Sequence, residues 1–142
     1  MYAVVRIRGS IDMRKGIKDT LKMLRLTKVN HCVLLRKDPK IGGMIQKVKD
    51  FVTWGEINEK TLENLVSRRG RMIGDVKIEG NDVKIIVSKI TKAKNMKDIE
   101  NFKPVFRMNS PKKGYEGIKQ AFPKGALGYR GDKINLLLER MM

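Results

Sequence analysis

Apolar and polar residues alternate at the start of the chain with the two-residue period of a β-strand. Over residues 2–8, Val5 and Ile7 fall on one face. Arg6 and Arg8 fall on the opposite face. Because successive strand side chains point to opposite sides of a sheet, this alternation predicts a strand whose outer face is basic.

From residue 12 the pattern takes the period of a helix. Apolar side chains recur at helical spacing at Met13, Ile17, Leu21 and Leu24. A basic row with the same spacing follows one residue later, at Arg14, Lys18, Lys22 and Arg25. The segment predicts an amphipathic helix with a cationic flank, which is either a solvated face or a surface for phosphate.

Two more β-rich segments follow, with a second helical pattern between them. Residues 29–36 and 51–54 predict strands, and Gly55 is expected to end the second of these. Asp38 and Pro39 are typical of a helix start, where Asp caps the helix and Pro takes the first position. The order β-α-β-α-β predicts an α+β fold with helices on one face of a small sheet.

By prediction the chain divides into a β-α-β-α-β core, residues 1–57, and an extension, residues 58–142, packed on that core. The extension is expected to be mostly helical and rich in loops. Asn58 is expected to cap its first helix, which ends with Gly70 in the C′ position. Apolar side chains at helical spacing predict a last helix over residues 134–141.

The middle of the extension has an ambiguous period. Residues 83–90 fit a strand as well as a helix, and the helix is the favoured interpretation. Asn95 or Asp98 is expected to open a short turn. Residues 104–108 predict an edge strand or extended segment that begins with proline.

Regular periodicity disappears between residues 109 and 131, where glycines and prolines mix with basic and aromatic side chains. The basic residues and tyrosines of this long loop are Lys112, Lys113, Tyr115, Lys119, Lys124, Tyr129 and Arg130. Glycine lets a backbone approach a phosphate surface, Lys and Arg neutralise that surface, and Tyr stacks on a sugar or an unpaired base. RNA contact is therefore favoured over a solvated surface loop.

The overall charge gives this pattern a functional direction. The 142 residues contain 32 Lys and Arg against 15 Asp and Glu, a net charge of +17 that is spread over the sequence. Like charges repel one another in a compact fold, and a polyanion lying against the surface relieves that repulsion. The first functional hypothesis is therefore nucleic-acid binding.

Cysteine content and apolar runs bear on the compartment. The single cysteine, Cys32, excludes an internal disulfide and lies in an apolar run, where it is expected to be buried. No apolar run approaches the ~20 residues of a membrane span, and Arg6 and Arg8 come too early for a signal peptide. We expect a soluble cytoplasmic protein with no cofactor and no membrane partner.

Catalytic side chains do not form a recognisable constellation. His31, the single histidine, lies at the start of a predicted strand, and nothing in the sequence pairs it with a nucleophile. We expect a protein that is not an enzyme. Two alternatives stay open: an RNA-processing or modifying enzyme that holds substrate on its basic surface, and a basic protein that compacts DNA.

Five stretches of the chain resemble the large-subunit ribosomal protein thirty family. They are VVRIRGS at residues 4–10, DTLKMLRL and VNHCVL at residues 19–26 and 29–34, GMIQKVKDFVTWG at residues 43–55, and FPKGALGYRGDKIN at residues 122–135. The last of these is similar to the archaeal members and to their eukaryotic counterpart, called seven. The chain lacks the long basic N-terminal extension of eukaryotic members, which implies an archaeal form.

The resemblance implies a three-stranded antiparallel sheet with the first strand in the middle, two helices on one face, and a partial ferredoxin-like topology. It also implies a structural role in the large ribosomal subunit. The implied partners are the large-subunit ribosomal RNA, the small 5S-type ribosomal RNA near the C-terminal part, and neighbouring ribosomal proteins. The protein would clamp RNA through phosphate and shape contacts, bound to ribosomes in the cytoplasm.

Candidate RNA-binding residues come from the resemblance and from the charge pattern. The family segments expected near RNA contain Arg8, Ser10, Arg14, Lys15, Lys28, Asn30, His31, Gly43 and Met44. The charge pattern adds Lys18 and the end of the third predicted helix, with Arg68, Arg69 and Arg71. That helix end is less specific, because basic residues in a last turn also complement the helix dipole.

Overall fold

The computed structural model describes residues 1–78, 80–93 and 99–142. The strands are β1 (Tyr2–Arg6), β2 (His31–Leu35), β3 (Val52–Glu56), β4 (Phe106–Arg107) and β5 (Gly128–Tyr129). The helices are α1 (Lys15–Met23), α2 (Pro39–Lys47), α3 (Glu59–Arg69), α4 (Asn81–Lys92) and α5 (Ile134–Met141).

All of these strands belong to one sheet with the order β4-β2-β1-β3-β5. The central strand β1 is antiparallel to both neighbours, so that Val4 lies between Val33 of β2 and Trp54 of β3. The α+β class and the antiparallel centre built around the first strand are confirmed. The C-terminal part adds β4 antiparallel to β2 and β5 parallel to β3, and so widens the sheet at both edges.

Helices cover both faces of the sheet. On one face, Val4 packs with Leu21 of α1 and with the apolar side of α2. This agrees with the two helices expected there. On the other face, Val5 packs with Leu65 of α3 and Leu138 of α5, and α4 contributes to the same apolar cluster. The whole chain therefore has three layers, with β1 buried between helices.

The predicted basic outer face of the first strand is wrong. Arg6 is only 3% exposed, and the following Arg8 lies beyond the strand end. The reason is that β1 has a neighbour at each edge and helices on each face, which leaves it no solvent side. Alternation gives the two faces of a strand but does not show which of them is covered.

Two glycines have roles other than those predicted. Gly55 does not end the third strand but lies inside β3, where an added Cβ would come 2.1 Å from the carbonyl oxygen of Gly131. Gly70 follows α3 with φ −62°, not in the left-handed conformation of a C′ glycine. A Cβ at Gly70 would come 2.3 Å from the carbonyl oxygen of Val66. Close approach, and not a special φ, requires glycine at both positions.

Several other element predictions agree with the structure, but the side chain of Asn58 makes no cap bond and the predicted long loop contains the two-residue strand β5. The ambiguous segment is helical, as α4, and the segment that follows Pro104 forms the edge strand β4. The side chain of Asp38 accepts a hydrogen bond from Lys40 N at 2.9 Å, as expected of a cap. The predicted turn at Asn95 or Asp98 lies outside the described residues. In the described part of the chain, no helix has the length and apolar content to cross a membrane.

Candidate nucleic-acid interface

Loops from distant parts of the chain meet at one end of the sheet. Because β1 is antiparallel to its neighbours, its C-terminal end lies beside the N-terminal ends of β2 and β3. The long loop before β5 packs against this end, where Ala126 and Leu127 form an apolar cluster with Ile7. We call this region the basic end, and it comprises residues 7–14, 24–30, 48–51 and 108–127.

The basic end carries a strong positive charge. Its loops contain nine Lys and Arg against three Asp and Glu. The ion pairs among the described residues join Lys37 to Glu56, and Lys103 and Arg107 to Asp75. None of these described pairs involves a basic residue of the basic end. The loop cations therefore keep their charge available to an anion.

Arg6, at the end of β1, forms hydrogen bonds to both of the first two loops of the basic end, residues 7–14 and 24–30. Its Nη1 donates to the carbonyl oxygens of Leu26 and Thr27, both at 2.8 Å. Its Nε donates to the carbonyl oxygen of Arg8 at 2.9 Å. Its Nη2 donates to Ser10 Oγ at 2.6 Å. Desolvation by burial lowers the pKa of Arg6, and these acceptors compensate the buried charge.

Asn30 ties the long loop to the start of β2. Its backbone has φ 63°, in the left-handed region that Asn tolerates better than most residues. Its Oδ1 accepts from the hydroxyl of Tyr115 at 2.7 Å, and its Nδ2 donates to Ser110 Oγ at 3.2 Å. Desolvation by burial raises the pKa of Tyr115 to about 12, so the phenol stays protonated and keeps donating.

Arg140, on α5, holds the beginning of the long loop. Its Nε and Nη2 donate to the carbonyl oxygen of Lys112 at 2.9 and 2.8 Å. Nη2 also donates to the carbonyl oxygen of Gly114 at 2.8 Å. The backbone N–H of Lys112 donates in return to the carbonyl oxygen of Arg140 at 2.9 Å. The exposed Lys112 and Lys113 side chains therefore project from a fixed backbone.

Arg130 holds the far end of the same loop. Its Nε donates to Thr53 Oγ1 and its Nη2 to the carbonyl oxygen of Ala126, both at 3.0 Å. The guanidinium carbon lies 5.1 Å from the centre of the Phe122 ring. Thr53 in turn donates to the carbonyl oxygen of Gly128 at 2.8 Å, which fixes β5 against β3.

His31 lies at the rim of the basic end, half-buried. Its Nδ1 is 3.5 Å from the hydroxyl oxygen of Thr27. Desolvation by burial lowers the pKa of His31, and the positive charges of Arg107, Lys28 and Arg6 lower it further. The ring is thus neutral at physiological pH in the free protein, with cations around it.

Most of the predicted RNA-binding residues meet at or beside the basic end. These are Arg8, Ser10, Arg14, Lys15, Lys18, Lys28, Asn30, His31, Lys112, Lys113, Tyr115, Lys119 and Lys124. They come from segments that are about 100 residues apart in the chain. The Tyr115 hydroxyl already bonds inside the protein, so this residue also has a structural part.

The remaining predicted residues lie elsewhere or have internal partners. Gly43 and Met44 are in the middle of α2. Arg68, Arg69 and Arg71 lie at the end of α3, where Arg69 Nη2 donates to the carbonyl oxygen of Met142 at 2.8 Å. The hydroxyl of Tyr129 donates to Glu56 Oε2 at 2.7 Å, and Arg130 holds Thr53 and Ala126.

Sequence reasoning missed the two arginines that hold the loops from inside, Arg6 and Arg140. Their acceptors are main-chain carbonyls up to 28 residues away, which no motif or period identifies. A hint existed for Arg6, since an arginine in a middle strand needs internal acceptors. For Arg140, on an amphipathic last helix, the sequence carried no such signal.

Neither a metal site nor a reactive thiol is found at the described residues. Among residues 1–78, 80–93 and 99–142, no three His, Cys, Asp or Glu side chains come together in a group suited to a metal ion. Cys32 is fully buried in β2, and desolvation by burial raises the pKa of its thiol to about 12. The thiol is therefore protonated and packs as a small apolar side chain.

Comparison with known proteins places the chain among ribosomal proteins. Residues 2–52 match the family model described as ribosomal protein L30p/L7e. A protein of Methanosphaera stadtmanae, named large ribosomal subunit protein uL30, is 43% identical over the full length of both chains. Proteins of the same name from Archaeoglobus fulgidus and Methanoregula boonei are 45% and 46% identical, with 99% of each chain covered.

The matched region and the full-length relatives agree with the resemblance seen in the sequence. The family model spans β1 to the start of β3, and the relatives extend the similarity through the C-terminal part that carries the long loop. A family of ribosomal proteins is not a family of enzymes, which confirms that expectation. The chain therefore belongs to the ribosomal protein L30p/L7e family.

Proposed function

We propose that this protein is a structural constituent of the large ribosomal subunit that binds large-subunit ribosomal RNA with its basic end. It works in the cytoplasm as part of the ribosome, and its contacts are mainly to phosphates and to the shape of folded RNA. The observation that supports this most directly is the meeting, at one end of the sheet, of loop cations that take no part in the described ion pairs.

Electrostatics supports an RNA backbone as the ligand. Neutralisation of phosphates by Lys and Arg releases condensed counterions, and this release provides most of the affinity of sequence-independent binding. The exposed lysines of the long loop, Lys112, Lys113, Lys119 and Lys124, are arranged for this role. Because lysine presents a point charge without a fixed fork, these contacts position the RNA more than they read its bases.

The shape of the basic end supports recognition of folded RNA. The long loop is held by Tyr115 and Arg140, and the loop after β1 is held by Arg6. Fixed loops present their charges in a set geometry, so an RNA with matching phosphate positions binds without the cost of ordering the loop backbone. Selectivity would then come from the tertiary fold of the ribosomal RNA.

The protein is also proposed to contact a second RNA and neighbouring proteins. The residues from 109 onward are proposed to lie near the small 5S-type ribosomal RNA, since the resemblance covers FPKGALGYRGDKIN at residues 122–135. Neighbouring ribosomal proteins are proposed to cover exposed apolar side chains such as Ile85 and Leu136, which are 51% and 63% exposed.

The salt dependence of RNA binding tests the proposal. We would measure the dissociation constant for archaeal large-subunit ribosomal RNA, transcribed in vitro, between about 50 and 400 mM salt. Replacement of Lys112, Lys113, Lys119 and Lys124 by Gln should reduce the steepness of the log-log plot by about 0.7–0.9 for each phosphate that is no longer neutralised. The control variant replaces four exposed lysines outside the basic end, Lys60, Lys84, Lys89 and Lys92.

The outcomes separate the basic end from overall charge. Both variants remove four positive charges, so equal reductions of affinity and steepness would show that net charge alone binds RNA. A larger reduction in the basic-end variant supports the proposal. A flat salt response of the unchanged protein would contradict it. Competition with 5S-type RNA in the same assay tests the second RNA partner.

A further inference from the structure

Three arginines at or beside the basic end donate hydrogen bonds from their guanidinium groups to main-chain carbonyl oxygens. Arg6 holds the carbonyls of Leu26 and Thr27. Arg140 holds those of Lys112 and Gly114, and Arg130 holds that of Ala126. The three side chains lie under different loop segments, and each holds at least one main-chain carbonyl. Arg6 and Arg130 also donate to the hydroxyl groups of Ser10 and Thr53.

Arginine suits this task because its planar fork presents several donors in fixed directions. Two carbonyls of one loop can be held by one guanidinium, as Nη2 of Arg140 shows with Lys112 and Gly114. A lysine ammonium offers a compact charge on a flexible stem and fixes such a pair less well. The described ion pairs include none of the three arginines.

The choice of acceptor has an electrostatic consequence. A loop held by an Arg–carboxylate pair would gain a negative charge close to the site, which would weaken its field. A loop held by an Arg–carbonyl contact keeps the full positive charge of the arginine. The basic end can thus be ordered and remain strongly cationic, although its exposed cations repel one another.

We infer that Arg6, Arg130 and Arg140 are positioning residues for RNA binding, which order the lysine-bearing loops through carbonyl contacts while the lysines meet the phosphates. The inference rests on the proposed function. The cations at and beside the basic end then fall into two groups. The lysines increase affinity by releasing counterions from the RNA, and the three arginines increase affinity by keeping the loop backbone ordered.

Arg140 and Lys112 provide a matched pair for the test. Arg140→Gln removes one positive charge together with the hydrogen bonds to the main-chain carbonyls of Lys112 and Gly114. Lys112→Gln also removes one positive charge, but the main-chain carbonyl of residue 112 stays bonded to Arg140. We expect Arg140→Gln to weaken binding of archaeal large-subunit ribosomal RNA about three- to tenfold, the cost of ordering one or two interface groups. The salt steepness should stay unchanged. Lys112→Gln should reduce the steepness by about 0.7–0.9.

Two further measurements show that the loop is the cause. Hydrogen exchange of the amides at residues 112–117 should rise in Arg140→Gln, with the rest of the protein unchanged. Arg140→Lys keeps the charge but removes the fork, and it should behave like Arg140→Gln in affinity and exchange. Binding is compared at a temperature where circular dichroism shows each variant fully folded. Arg130→Gln, at the far end of the loop, gives a second variant if the first is unstable.

The outcomes separate failure of the positioning role from failure of the proposed function. Unchanged affinity of folded Arg140→Gln would show that the contact is only structural and would overturn the inference alone. A fall in steepness equal to that of Lys112→Gln would mean that Arg140 contacts phosphate itself, which also overturns the inference. If the unchanged protein shows no salt-dependent binding, the proposed function fails, and the inference fails with it.

Discussion

Arginine and lysine have different tasks at the residue scale of this molecule. Arg6 is nearly fully buried and donates to three carbonyl oxygens and one hydroxyl. Lys113 and Lys124 are exposed on the long loop, and the described ion pairs do not include them. The planar guanidinium of arginine suits fixed hydrogen bonds inside the protein. The flexible ammonium of lysine suits contact with a polyanion whose phosphates vary in position.

Some residue roles followed from the sequence and others did not. Cys32 lies in an apolar run and is buried as predicted. The bond between Tyr115 and Asn30 joins residues 85 positions apart, so no local pattern reveals it. Burial of an apolar side chain is a property of its own type, but a hydrogen-bond partner is a property of the tertiary fold.

His31 predicts a specific effect of pH on stability. Because desolvation and the nearby cations Arg107, Lys28 and Arg6 lower its pKa in the folded protein, the unfolded chain binds the proton more readily. Stability should therefore fall as pH drops from about 8 through the ordinary histidine value of about 6.5 and level off below the folded pKa. We expect this fall to stay under about 1 kcal/mol, since the ring is partly exposed.

The measurement is urea unfolding of the unchanged protein and of His31→Gln between pH 5 and 8. Glutamine does not titrate, so the difference in unfolding free energy between the two proteins should change in favour of the variant as pH falls. The carboxyl groups of Glu56 and Asp75 have lowered pKa values, caused chiefly by hydrogen bonds from Lys37 and Lys103, and titrate below this window. A pH-independent difference would contradict the prediction.

At the scale of elements, helix starts were predictable because their signals are local. Asp38 and Pro39 mark the start of α2, and the side chain of Asp38 forms the cap bond to Lys40 N. Asn58 precedes α3 as expected, but its side chain makes no cap bond. Its backbone N–H donates instead to Oδ1 of Asn135 at 3.0 Å, a contact with α5 that only the tertiary fold provides.

The short edge strand β5 marks the limit of local prediction. The proline and β-forming residues of the segment 104–108 predicted β4, but β5 has only two residues and shows no strand period in the sequence. Gly128 belongs to β5 because this segment pairs with Thr53 and Trp54 of β3. The predicted long loop therefore contained a strand that depends on an existing sheet edge.

The two caps predict different costs of substitution. Asp38→Ala removes a side chain that satisfies a free N–H at the start of α2, so we expect a decrease of about 1 kcal/mol in unfolding free energy. Asn58→Ala removes a side chain without a cap bond and should cost under about 0.5 kcal/mol. Urea or thermal unfolding of both variants measures the difference.

A charge control completes this comparison. Asp38→Ala also increases the positive charge of a chain that already carries +17. Asp38→Asn makes the same change in charge but keeps an oxygen able to cap, and it should retain most of the stability. If Asp38→Asn is destabilised as much as Asp38→Ala, repulsion between charges and not capping accounts for the cost.

For the whole molecule, the main structural fact is that the extension completes the sheet. The helices α3, α4 and α5 cover the face that α1 and α2 leave open, and β4 and β5 pair with the edges of β2 and β3. The sequence indicated that the extension packs on the core, but the strands that it adds depend on pairing between distant segments. The proposed division at residue 57 therefore has a thermodynamic meaning that can be measured.

We predict that residues 1–57 alone do not fold cooperatively. In the fragment, the sheet face formed by Ala3, Val5, Cys32 and Leu34 is without its covering helices. Each Val or Leu that is no longer buried costs about 1.5–3 kcal/mol, and a whole domain has a net stability of only about 5–15 kcal/mol. The strands β2 and β3 also become exposed edges, which favour pairing with other chains.

Circular dichroism in urea and sedimentation velocity test this prediction. We expect a broad, non-cooperative transition and concentration-dependent association of the fragment, against one sharp transition for the full chain. A second fragment with Val5→Thr and Leu34→Thr should associate less, because its open face is more polar, while remaining poorly folded. A sharp transition of the unchanged fragment near that of the full chain would show instead that the N-terminal part is an independent domain on which the extension is merely placed.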